Sequence, residues 1–135
     1  AQWLQEVTGW AVSVVSDLAP LKGSTVFLAA GGKDLVLEGE MVRALPASSR
    51  FVPSGDRLLA SLARTQRAGA VGMVLSGMGA DGAAGLGEIA RGGGRAVCQL
   101  PDTAVVASMP QSALAAAPGA VLAAPAFLAA ALLEG

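Results

Sequence analysis

The 135-residue sequence contains no histidine and a single cysteine, Cys98. Without histidine, this chain by itself cannot form a Ser-His-Asp triad, a Cys-His site or a histidine-based metal centre. A lone cysteine excludes an internal disulfide and a cysteine-rich zinc site, and we expect neither a metal nor any other cofactor. One cysteine is also typical of a reducing compartment, which predicts a cytoplasmic location.

Charged residues are scarce as well. They make up 14% of the chain, nine basic against ten acidic, and the formal net charge is −1. This balance lacks the basic surface that attracts nucleic acids or anionic membranes. No segment reaches the ~20 uninterrupted apolar residues of a membrane-spanning helix, and the N-terminus lacks the basic start of a signal peptide. We therefore expect no nucleic-acid partner and no membrane insertion.

Small and apolar residues are abundant: 53% of the chain is hydrophobic and glycine occurs 18 times, in a length that suits one domain. Apolar spacing predicts a short helix over residues 1–10. Runs of β-branched and other apolar residues predict strands over residues 11–16, 25–30, 35–37 and 41–45. Gly39-Glu40 favours a hairpin between the last two. We expect this first part to be a small antiparallel β region.

The rest of the chain alternates helical patterns with short apolar runs bounded by glycine or proline. Predicted helices cover residues 55–67, 83–91 and 110–117, and another begins at Pro125. Predicted strands cover residues 70–76, 95–99 and 120–123. A strand, a glycine-rich turn, a helix and a second strand form a βαβ unit, so the strands at 70–76 and 95–99 should run parallel.

The turn Gly77-Met78-Gly79-Ala80-Asp81-Gly82 lies where an open parallel sheet binds its ligands, beyond the carboxyl end of a strand. Three interpretations compete. Asp81 could cap its own helix by accepting hydrogen bonds from the amides of Ala83 or Ala84. The GxGxxG spacing, with Asp102 about 20 residues further on, could bind a nucleotide, although a carboxylate would repel the pyrophosphate. Asp81 could instead be the acid of a catalytic triad.

Four segments have residue patterns similar to those of one protein family. They read LSGMGADGAAGL over residues 75–86, QLPDTAVVASMP over 99–110, VFLAAG over 26–31 and PSGD over 53–56. These resemble, in the same order, the (L)TGMGxDGxxGL, AQxxxSxVxxMP, VYxAPG and PSVD segments of the CheB family, the protein-glutamate methylesterases of bacterial chemotaxis. The likeness is strong over Val71 to Leu86, moderate over Ala96 to Pro110 and weak elsewhere. Ala30 and Leu100-Pro101-Asp102 depart from the family pattern.

The resemblance implies an α/β fold: a doubly wound, mostly parallel sheet flanked by helices, with a small antiparallel β-hairpin region near the N-terminus. It implies hydrolysis of γ-glutamyl methyl esters on chemoreceptors by a Ser-His-Asp triad. Asp81 takes the place of the triad acid, and the backbone amide of Met78 that of an oxyanion-hole donor. Binding or turn-supporting roles are expected for Gly77, Gly79, Gly82, Gln99 and Met109.

The family's GxSTGG nucleophile segment and QHMP histidine segment are absent from these 135 residues. Two hypotheses fit. Residues 1–135 could be a single, partial methylesterase-like domain whose serine and histidine lie before Ala1, or a catalytically inactive member that acts as a signalling interaction module. Ser76 and Cys98 are interpreted as a turn hydroxyl and a core residue, not as nucleophiles.

The same resemblance predicts the partners. We expect methylated cytoplasmic helices of chemoreceptors, and a receiver domain or other chemotaxis proteins. A fragment of the domain would expose a strand edge, and exposed edges pair with other chains. Self-association through such an edge is therefore expected.

Overall fold

A computed structural model describes residues 1–133, which divide into two compact units, Ala1–Ser54 and the residues from Gly55 onward. The first unit contains α1 (Gln2–Thr8), β1 (Ala11–Val15), β2 (Leu18–Pro20), β3 (Thr25–Ala29), β4 (Lys33–Glu38) and β5 (Met41–Pro46). The second contains α2 (Gly55–Gln66), β6 (Val71–Val74), α3 (Ala83–Arg91), β7 (Arg95–Gln99), α4 (Ser108–Ala116), β8 (Val121–Ala123) and α5 (Leu128–Leu133).

The first unit holds two small sheets. Strands β2, β5 and β4 form an antiparallel sheet in that order. The β4–β5 hairpin turns at Gly39, whose φ of 59° is accessible to glycine. Strands β1 and β3 form a separate parallel pair, with Ala11 opposite Thr25. The prediction of one antiparallel region is therefore wrong for β1 and β3. The intervening chain leaves this pair to place β2 beside β5, and β3 consequently runs in the same direction as β1.

The second unit is built on the parallel sheet β6-β7-β8, in chain order. Alternate residues of a strand point to opposite faces. Ala96 and Cys98 of β7 accordingly pack in the core formed with α2, α3 and α4, whereas Val97 packs with Ala131 of α5. Helices thus cover both faces of this sheet, and the predicted α/β architecture is confirmed: parallel sheets flanked by helices, with a small antiparallel sheet.

The helices of this chain are short. Helix α2 has 12 residues, and α3 and α4 have nine each. Within residues 1–133, no helix has both the length and the apolar character that crossing a lipid bilayer requires.

Candidate active site

The turn from Gly77 to Gly82 follows β6 and leads into α3, at the carboxyl end of the parallel sheet. Gly79 and Gly82 have φ angles of 94° and 89°, which residues with a Cβ rarely adopt. Gly77 differs from these two, because a Cβ at this position would overlap the sulfur of Met109 and require that side chain to move. The three glycines therefore fix the path of the turn through two left-handed conformations and one close contact.

Hydrogen bonds fasten the turn to the segment that opens α4. The amide of Gly77 donates to the Val106 carbonyl at 3.0 Å, and the amide of Met109 donates to the Gly77 carbonyl at 3.1 Å. The Ser108 hydroxyl donates to the Gly77 carbonyl at 3.1 Å and accepts from the Gly79 amide at 3.0 Å. Four bonds over so few residues leave this half of the turn little freedom to move.

Gln99, the buried last residue of β7, connects the ends of two neighbouring strands. Its Oε1 accepts the amide of Ser76 at 2.9 Å. Its Nε2 donates to the carbonyl and the hydroxyl of Thr103, each at 3.3 Å. The Ser76 hydroxyl donates to the Val106 carbonyl at 3.2 Å and accepts the Val106 amide at 3.1 Å. The Ser76 side chain is therefore occupied with backbone groups.

Asp81 does not cap its own helix, so the first of the three interpretations is wrong in its choice of helix. Its Oδ2 accepts the amide of Gly55 at 2.7 Å, and its Oδ1 accepts the amide of Asp56 at 3.0 Å. Gly55 and Asp56 are the first two residues of α2, whose amides have no partner within their own helix. Gly82 occupies the N-cap position of α3, so Asp81 precedes that position and reaches the neighbouring helix instead.

Asp56 makes a similar hydrogen bond to the start of α3. Its Oδ1 accepts the amide of Gly85, the third residue of α3, at 2.8 Å. The first two amides of α2 are thus capped by a carboxylate from the turn before α3, and one early amide of α3 is capped by a carboxylate from α2. We call Asp81, Gly55, Asp56 and Gly85 the reciprocal cap. Sequence reasoning missed the role of Asp56. The available signal was an aspartate in the first turn of a predicted helix, where negative charge is favourable.

The reciprocal cap determines what the Asp81 carboxylate can do. Two helix N-termini lie beside it, and the amides at the start of α2 bind both of its oxygens. An ionised carboxylate can accept about four hydrogen bonds, and two are accounted for within residues 1–133. Because Asp81 is only partly buried, it can accept a further N–H donor without losing those that hold it.

Met78 projects from the same turn, with 81% of its surface exposed. Its backbone amide has no acceptor within the described part of the chain, so this N–H can bind the oxygen of a ligand. In the same unit, the Gly85 amide near the start of α3 is already occupied by Asp56. That occupation, and the exposed position of Asp102 in a 3₁₀ turn, disfavour the nucleotide interpretation.

Comparisons with known proteins give the family. The model of the CheB methylesterase family matches residues 1–132. Protein-glutamate methylesterase/protein-glutamine glutaminase 3 of Myxococcus xanthus (strain DK1622) is 39% identical over 114 residues, which are 84% of this chain and 32% of that protein. Protein-glutamate methylesterase FrzG of Myxococcus xanthus is 37% identical over 117 residues, 84% of this chain and 35% of that protein.

A solved structure gives the fold. The catalytic domain of the Thermotoga maritima CheB methylesterase aligns with a TM-score of 0.84 and 23% identity, over 99% of this chain and 74% of that one. The chain spans about a third of the length of the curated relatives it matches. On the family match over nearly its whole length, the chain belongs to the CheB methylesterase family, a chemotaxis-type protein-glutamate methylesterase family.

Proposed function

We propose that this chain supplies the acidic residue and one oxyanion-hole donor of a protein-glutamate methylesterase active site. The observation that carries the proposal is how the Asp81 carboxylate is held and how far it is exposed. Its carboxylate is fixed by two backbone amides at 2.7 and 3.0 Å, yet it remains partly exposed with acceptor positions to spare. A triad acid has to be rigidly held, ionised and able to take an imidazole N–H.

In the proposed reaction, a serine and a histidine from outside these 135 residues complete the site. The serine oxygen attacks the carbonyl of a γ-glutamyl methyl ester while the histidine takes the serine proton and passes it to the departing methanol. Water, activated by the same histidine, then releases the glutamate. Asp81 accepts the second imidazole N–H, which fixes the tautomer and stabilises the imidazolium.

The free amide of Met78 has the second role in this proposal. Negative charge develops on the carbonyl oxygen as the tetrahedral intermediate forms, and a backbone N–H already fixed in place stabilises it without reorganisation. Hydrogen bonds on both sides of Met78 hold that amide, through Gly77 to Val106 and through Gly79 to Ser108. Gly77, Gly79, Gly82, Gln99 and Met109 support the turn that carries both groups.

The surroundings of the reaction are part of the proposal. Residues 1–135 are part of one methylesterase-like α/β domain that acts in the cytoplasm on methylated chemoreceptor helices. A receiver domain or other chemotaxis proteins bind it. Strand β1 pairs with β3 on one side only among the strands of residues 1–133, and this edge supports self-association.

The test is methanol release from methylated chemoreceptor. We expect no turnover from the chain alone, because no general base is present. Joined to the serine- and histidine-bearing segment of the Thermotoga maritima domain, the chain should become active. In that joined protein Asp81→Asn should lower kcat by about 10⁴-fold, because the amide presents the wrong group to the histidine. Asp102→Asn, on an exposed aspartate, is the matched control. Turnover by the chain alone, or full activity of the Asp81→Asn protein, would contradict the proposal.

A further inference from the structure

The hydrogen bonds of the reciprocal cap assign a role to a second carboxylate. We propose that Asp56 is a positioning residue, which sets where the Asp81 carboxylate lies relative to the reacting groups. The geometric part of this proposal stands by itself, and its catalytic consequence rests on the proposed function.

Asp56 contacts the Asp81 segment at two points with two different groups. Its backbone amide donates to Asp81 Oδ1 at 3.0 Å, and its own Oδ1 accepts the Gly85 amide at 2.8 Å. Asp81 and Gly85 are four residues apart, about one helical turn. One contact would leave α3 able to pivot about the Asp81 carboxylate. Two contacts at this spacing define both the distance and the direction.

The fit around these contacts is tight. A Cβ on Gly85 would lie 2.9 Å from the Asp56 carbonyl oxygen and 2.7 Å from Cβ of Leu59, closer than real Cβ atoms approach. A Cβ on Gly55 would lie 3.2 Å from Asp81 Oδ2. The two helix ends are therefore held as close together as glycine permits. Replacing Asp56 by the longer glutamate cannot preserve both of its contacts without moving one helix end.

The positioning matters because Asp81 is only partly buried. A fully buried side chain is held by packing on all sides, whereas Asp81 depends on its hydrogen bonds for its place. Displacement of a catalytic group by about 1 Å can cost about 100-fold in rate. Loss of the Asp56 side chain removes one of the two points that fix the segment, and should produce a loss of that order.

A spectroscopic test on the chain itself needs no activity. We expect Asp56→Ala to move the side-chain carboxyl ¹³C resonance of Asp81, 25 residues away in sequence, along with the Gly85 amide. Asp56→Asn retains an Oδ1 acceptor and should move both much less. Leu62→Ala is the control, because it removes part of the same helix and core without touching the cap. An unchanged Asp81 resonance in the Asp56→Ala protein would overturn the inference.

The kinetic test uses the joined protein. Asp56→Ala should lower kcat by about 100-fold with little change in KM, Asp56→Asn should recover most of that loss, and Leu62→Ala should lower Tm without lowering kcat. If Asp56→Ala fails to fold, Asp56→Glu carries the test and should also lower kcat. Unchanged kcat in the tested variant, no recovery by Asp56→Asn, or an equal loss in Leu62→Ala would overturn the positioning role. The proposed function fails separately, if Asp81→Asn leaves kcat unchanged.

Discussion

Two aspartates bind backbone amides in similar ways but differ in their exposure to solvent. Asp34 holds the loop of residues 47–54, and Asp81 lies in the turn of residues 77–82. Asp34 accepts the amides of Ser54 at 2.8 Å and Ser48 at 3.4 Å, and it is completely buried. Asp81 also accepts two backbone amides but remains partly exposed. Both carboxylates hold backbone amides in place. Because only Asp81 is partly exposed, only its carboxylate can accept a further hydrogen bond from a group outside the fold.

The glycine content of the two segments differs in the same sense. Residues 47–54 include no glycine, whereas residues 77–82 include three. No residue of the Asp34 loop has a positive φ, and one buried carboxylate holds the loop from inside. The Asp81 turn adopts conformations that only glycine tolerates easily. A partly exposed side chain such as that of Asp81 has less packing to hold it, and here the backbone geometry of the turn replaces that packing.

The largest expected effect is the difference in stability loss between alanine substitutions at Asp34 and at Asp81. Asp34→Ala should lower the free energy of unfolding by about 3 kcal/mol, because the buried amide of Ser54 loses a charged acceptor and has no water to replace it. Asp81→Ala should cost only about 1 kcal/mol, as for an ordinary helix cap, because water can reach the amides it leaves. Urea denaturation of the two variants measures both values. Equal losses would mean that exposure does not distinguish the two carboxylates.

The next effect concerns why the turn needs its glycines. Gly77→Ala should cost about 2 kcal/mol by overpacking against Met109, and Met109→Ala in the same chain should remove most of that cost. Gly79→Ala should cost about 1–2 kcal/mol through its left-handed conformation, and Met109→Ala should not relieve it. Double-mutant cycles in urea give both coupling energies. Coupling of Met109 to Gly79 but not to Gly77 would reverse our assignment of the two causes.

Much of the second unit could be predicted from the sequence because glycines mark where its helices and strands end. Glycines on either side of residues 70–76 and the triple glycine after Arg91 mark the ends of the βαβ unit. Strand β7 covers Arg95–Gln99 as predicted. The first unit was harder, because the parallel pairing of β1 with β3 depends on where the intervening chain goes. Strand β2 is three residues long and ends in Pro20, a pattern that indicates a turn when it is considered alone.

The site was predictable as a turn but not as a set of contacts. The residue pattern around Asp81 singled out this residue as a candidate, but its hydrogen-bond partners lie 25 and 26 residues earlier, on another helix. No local pattern encodes which of several free helix N-termini a carboxylate will cap. The buried position of Asp34 was missed for a related reason. An aspartate beside Lys33 at the start of a strand is typical of an exposed edge, whereas in the structure amides of the later segment 47–54 bind it.

The smallest expected effect concerns Cys98, whose buried thiol contrasts with the partly exposed carboxylate of Asp81. It is completely buried next to Gln99, its thiol donates to the Pro110 carbonyl at 3.3 Å, and burial raises its pKa. Asp81 is partly exposed beside two helix N-termini, whereas Cys98 is enclosed by the core of α2, α3 and α4. The folded thiol therefore stays protonated where the unfolded thiol, with a pKa of about 8.5, begins to ionise.

The sign of the pH dependence follows. Above about pH 8.5 the unfolded chain binds fewer protons than the folded one, so stability falls as pH rises until the pKa of the folded thiol is passed. Cys98→Ala should remove this component, which is at most about 1.4 kcal/mol per pH unit. The chain has no tyrosine, which leaves few other groups to titrate in that range. Urea midpoints measured from pH 7.5 to 9.5, a range chosen around the reference thiol pKa of about 8.5, test it. Parallel curves for the two proteins would mean that the Cys98 thiolate is as well solvated in the fold as in the unfolded chain, and that the interior beside the turn is not dry.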